Sequence, residues 1–195
     1  MDNVASDTIW NREILKGFID LLNEKFAGKF STFKVIVRKP DEDFKLESYP
    51  CAVLQITNSR FSVDRYYKKE SYIVSKDKEN YRGIVDKSPL TYDINLQLDF
   101  YAKKENDLDT LEITWLSYFR RDFNLQVKTR GGNDDDVHVM PDEGVAKRLD
   151  EMNGKDRLFR RCFNYKVYGR IEEHTGRTEV PLVKTLIFNT KGMKK

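Results

Sequence analysis

A chain of 195 residues with two histidines and two cysteines has few ways to build a reactive centre. Neither His138 nor His174 has a cysteine or second histidine at ligand spacing, and no CxxC or HExxH motif occurs. A zinc site is therefore not expected. Asp134, Asp135 and Asp136, with Asp142 and Glu143 close behind, supply the hard oxygens that hold divalent cations. They lack the alternating spacing of a calcium loop, so a solvated acidic loop, or a docking patch for basic residues, is the better reading. Pro141-Asp142 matches the first carboxylate of many metal-dependent nucleases, but no second carboxylate and lysine follow on a strand. Lys147 falls in a stretch that reads as helical. No serine stands in a nucleophile elbow, and Gly131-Gly132 is followed by acids that repel phosphate. The residues do not support catalysis, and no cofactor is expected.

Charge is the more telling feature. The chain holds 35 basic and 32 acidic residues, a net of +3. That remainder hides a polarity. Residues 131–156 carry eight acids and three bases, whereas residues 157–195 carry ten bases and three acids. Such segregation favours electrostatic pairing with further copies of the chain or with a partner. Charged residues make up 34% of the whole, which predicts a large wet surface, while 12% aromatic residues argue against disorder throughout. No run of apolar residues is long enough to cross a membrane as a helix, and Met1–Asp7 has no signal-peptide pattern. Cys51 and Cys162 read as buried thiols in a reducing compartment.

The elements that must position these groups follow from periodicity. Trp10, Ile14, Phe18, Leu21, Leu22 and Phe26 predict a helix over residues 6–26, capped by Ser6 or Asp7 and ended near Gly28. Phe33, Val35 and Val37 form a short strand and Cys51–Ile56 a second. Asn58 to Lys87, with eight bases and five acids, reads as a long exposed β-hairpin arm. Its aromatics among basic residues suit either strand packing or stacking on bases. Tyr92, Ile94, Leu96, Leu98 and Phe100 alternate strictly with Asp93, Asn95, Gln97 and Asp99, which demands one buried and one wet face. A helix over 105–120 and a strand at Leu125–Thr129 come next. Asn133–Gly144 reads as an acidic, turn-rich loop in which Val137–Val139 offer a short strand. Residues 145–153 read as one or two helical turns. Strands at Phe163–Ile171 and Val180–Phe188 flank a turn at Glu172–Thr178, and Lys191–Lys195 is a basic tail. The expected fold is α+β: one domain over residues 1–195, with a mixed, mostly antiparallel sheet packed by two helices and a projecting β-hairpin arm at 58–87.

One stretch resembles a known family. Ser88-Pro89-Leu90-Thr91-Tyr92-Asp93-Ile94-Asn95-Leu96-Gln97-Leu98-Asp99-Phe100-Tyr101-Ala102-Lys103-Lys104, the helix Asp107–Phe119 and Asp122-Phe123-Asn124-Leu125-Gln126-Val127 are similar to the tail sheath stabiliser and completion (tail terminator) proteins of contractile-tailed bacteriophages. Pro50–Val53, Leu54-Gln55-Ile56-Thr57 and Asp64-Arg65 extend the likeness upstream, so that it covers about residues 50–130. At the helix end the chain departs from the family, with Leu116-Ser117-Tyr118-Phe119 and Arg120-Arg121 in place of a proline-containing pattern.

The resemblance implies a virion structural protein assembled in the host cytoplasm. It would form a homohexameric ring that caps tail tube and sheath, receives the neck proteins and lets DNA pass without sequence-specific binding. Other expectations are a different head–tail connector or baseplate component, or a nucleic-acid-binding protein. On electrostatic grounds, Arg60, Arg65, Lys68, Lys69, Tyr72 and Arg82 in the arm are expected to make subunit or partner contacts. Asp134, Asp135, Asp136, Arg160, Arg161 and Arg170 are expected to do the same.

Overall fold

The computed structural model describes residues 8–39, 46, 48–62, 71–77, 82–87, 89–119, 121–142, 147–148, 151–153, 156–171 and 178–181. Among these residues two helices, α1 (Asn11–Phe26) and α2 (Glu105–Tyr118), accompany eleven strands. These are β1 (Lys34–Val37), β2 (Cys51–Phe61), β3 (Ser71–Asp77), β4 (Arg82–Lys87), β5 (Leu90–Ala102), β6 (Phe123–Lys128), β7 (Asp134–Pro141), β8 (Lys147–Arg148), β9 (Glu151–Asn153), β10 (Asp156–Ile171) and β11 (Thr178–Pro181). The large sheet runs β1-β2-β5-β10-β7-β6, with β8 and β9 added to β10. Among the described residues only β1 and β2 pair in parallel. The architecture is α+β with a mixed, mostly antiparallel sheet, as the periodicity predicts.

The strict alternation of β5 sets the layers. Ile94, Leu96, Leu98, Phe100 and Ala102 face the helices and join Ala52, Leu54, Leu125, Val127, Val137, Val139, Phe163, Tyr165 and Val167 in one core. Helix α1 contributes Ile14, Phe18, Leu22 and Phe26, and α2 contributes Leu108, Leu111 and Trp115. Trp115 donates its indole N–H to the Tyr165 hydroxyl at 2.6 Å, so the largest core side chain leaves its one polar atom satisfied. Burial pushes the Tyr165 phenol far up, against a smaller lowering by that hydrogen bond. On the opposite face a smaller cluster forms around Cys51, Val53, Tyr101 and Leu158.

Burial pushes the Cys51 thiol up from 9.0 to about 12. For Cys51 and Tyr165 alike, the folded state favours the neutral form. Their stabilisation is thus complete below the unfolded-state values and is lost as pH rises through the folded ones. Denaturant melts should show level stability near neutrality and a decline above about pH 9, of up to roughly 1.4 kcal/mol per pH unit for each group. Cys51→Ala should flatten the first part of that decline. A wild-type profile that stays level to pH 11 would contradict it.

Four expectations are corrected. Helix α1 begins at Asn11, with Trp10 as its N-cap, and not at Ser6 or Asp7, which lie outside the described residues. Ile9 is held instead as a strand-like bridge, exchanging backbone hydrogen bonds with Arg170 at 2.9 and 3.0 Å, while Thr8 O accepts from Arg130 N–H. Gly169 permits this approach, since a Cβ there would lie 2.7 Å from Ile94 Cδ1 and 3.2 Å from Ile9 O. Where it is described, the expected acidic loop at 131–156 is largely strand. Asp134–Pro141 pairs along β6 in a hairpin turned at Gly132, whose φ is +90°. Val137 and Val139 enter the core while Asp134, Asp136 and His138 stay at the surface, so the strand buries no carboxylate without compensation.

The helical turns expected over 145–153 are absent where residues are described: Lys147–Arg148 and Glu151–Asn153 pair with β10. Open partner positions along that 16-residue strand override weak local preference. The arm starts later than Asn58. Beyond a bulge between Ile56 and Asn58, the segment Asn58–Phe61 continues β2 and pairs with β5. Strands β3 and β4 do form a hairpin, but it belongs to a separate three-stranded sheet with β11. The expected turn at Glu172–Thr178 lies outside the described residues except Thr178, which opens β11. Of the last predicted strand only Val180–Pro181 is described, and Lys191–Lys195 lie outside.

Candidate interface

With both helices on one side of the large sheet, the polar residues of β5 occupy its other side. Side chains of Asp93, Asn95, Gln97 and Asp99 alternate away from the helix core, and the register sets Arg60 of β2 and Lys166 of β10 near them. Arg60 Nε is 3.9 Å and Lys166 Nζ 4.0 Å from Asp93 Oδ2. Asp99 accepts from Arg160 Nη2 at 2.9 Å and from Gln97 Nε2 at 2.7 Å, and the Arg160 guanidinium lies over the Tyr101 ring. Towards β7, His138 stacks on Tyr168, whose hydroxyl donates to Met140 Sδ at 2.8 Å. The result is a hydrogen-bonded and ion-paired face in which Asp93 and Asp99 are themselves buried.

The residues singled out from charge fall into three groups. Arg60 is exposed at the end of β2, next to the half-covered ring of Phe61. Tyr72 and Arg82 lie on β3 and β4 of the small sheet, opposite Asp86 and Asp77 respectively in the backbone register. Arg65, Lys68 and Lys69 lie outside the described residues. The acidic and basic segments meet inside one chain: Arg170 Nη2 pairs with Asp135 Oδ2. Arg161 is 7% exposed and bonds from Nε to Glu112 Oε2 at 2.6 Å and from Nη2 to Asp109 Oδ1 at 3.4 Å, tying β10 to α2. Asp134 and Asp136 remain at the surface. Three of the arginines thus serve the subunit's own packing.

Arg161 can be tested directly. Because Glu112 and Asp109 reach solvent, Arg161→Met should cost only about 1 kcal/mol, well below a fully buried pair. Urea melts that show a loss above about 3 kcal/mol would mean the guanidinium holds up more of the fold than these contacts indicate.

Two surface features had no clear signature in the linear charge pattern. Helix α2 turns Ile113, 67% exposed, and Leu116 and Tyr118 outward, and Lys25 of α1 sits 4.6 Å from the centre of the Tyr118 ring. The second is a groove of about 450 Å³ between α1 and β6, lined by Gly17, Asp20, Leu21, Glu24, Gln126 and Asp136 among others. The helix approaches the strand there because residue 17 is glycine: a Cβ would lie 2.8 Å from Val127 Cγ1 and 3.0 Å from Gln126 O. Among the described residues no three His, Cys, Asp or Glu side chains are set to hold a metal ion, and no helix is long and apolar enough to cross a membrane. No family model matches the chain, and no curated protein matches it either.

Proposed function

We propose that the chain is a structural subunit of a contractile phage tail, a tail terminator or sheath stabiliser. It forms a ring at the head-proximal end of the tail. The ring stops the growth of tube and sheath and offers the neck a new surface, so its mechanism is geometric. The observation that carries this reading is the unit β5–α2–β6. The stretch on which the family resemblance rests forms one 13-residue strand, a helix returning across the core face and a strand at the sheet edge. A charged sheet face, exposed apolar residues on α2 and an acidic groove give such a subunit contact surfaces on several sides, as a ring between tube, sheath and neck requires. DNA would pass through the ring without base readout.

Electron microscopy of particles assembled with and without the protein tests this. Tails of uncontrolled length, or tails that fail to join heads, are expected in its absence. Normal joined tails would overturn the reading.

A further inference from the structure

We draw no further inference here: the strongest candidate, the outward apolar face of α2 with Ile113 67% and Leu116 37% exposed, carries nothing because nothing in the structure shows what covers it.

Discussion

Replacing Trp115 with alanine is expected to remove on the order of 5 kcal/mol of stability, comparable with the whole of a marginal domain. The indole is fully buried on α2, and five aromatic rings surround it. The ring of Phe119 is 4.3 Å away between centroids, Phe100 6.0 Å, Phe123 6.3 Å, Tyr165 6.3 Å and Phe26 6.4 Å. These residues come from α1, β5, β6, β10 and the end of α2, so one cavity would loosen every layer. A cavity of that size costs about 3–5 kcal/mol, and the orphaned Tyr165 hydroxyl adds about 1–3 more. Trp115→Phe separates the two contributions, because it keeps most of the ring volume and removes the donor. Adding Tyr165→Phe to it should then cost less than Tyr165→Phe costs alone, since no donor is left to strand. Equilibrium urea unfolding measures all of these. A loss below about 1.5 kcal/mol for Trp115→Ala would show that the core collapses around the site and that the ring cluster is not its centre.

Gly17→Leu should be the next most damaging single change, at about 1–3 kcal/mol. On an isolated helix it would be favourable by nearly 1 kcal/mol, because glycine is a poor helix former. In the fold the new side chain meets Val127 Cγ1, Gln126 O and Leu125 Cδ2, all within 3.2 Å of its Cβ, so α1 must lift away from β6. The sign of the change therefore reports whether helix propensity or the close helix–strand approach governs this position. Gly17→Ala should be damaging in the same direction but smaller. If both raise the melting temperature, the close approach is not maintained in solution. Gly28, in contrast, has open space around it, and Gly28→Ala should be close to neutral in the same melts.

Much of the fold was legible because its strongest signals are local. The alternation over Tyr92–Phe100 can be satisfied only by a strand with one buried face, and the Trp10–Phe26 periodicity only by a helix with an apolar stripe. The errors fell where local signals were weak or contradicted by partners. Asp134, Asp135 and Asp136 resemble a loop when read alone. They become a strand because β6 offers a ladder and because only Val137 and Val139 need burial. Asn58–Phe61 resembled an arm until the bulge after Ile56 reset its register against β5. No reading of the N-terminus foresees that Ile9 bridges to Arg170, since that contact joins residues 161 positions apart.

The candidate contacts divide in the same way. Counting charges along the chain determined that charge is abundant and segregated, with an acidic stretch preceding a basic one. The sequence also determined that no histidine or cysteine stands at metal-ligand spacing. Only the tertiary structure decided which charges pair within the chain and where the others gather. Asp135 and Arg170 are paired within one chain, Arg161 is buried under α2, and Asp20, Glu24, Asp134 and Asp136 gather at one sheet edge. The reason is physical: charge is a property of each residue and can be counted along the chain, whereas exposure and pairing depend on which distant residues the sheet register brings together.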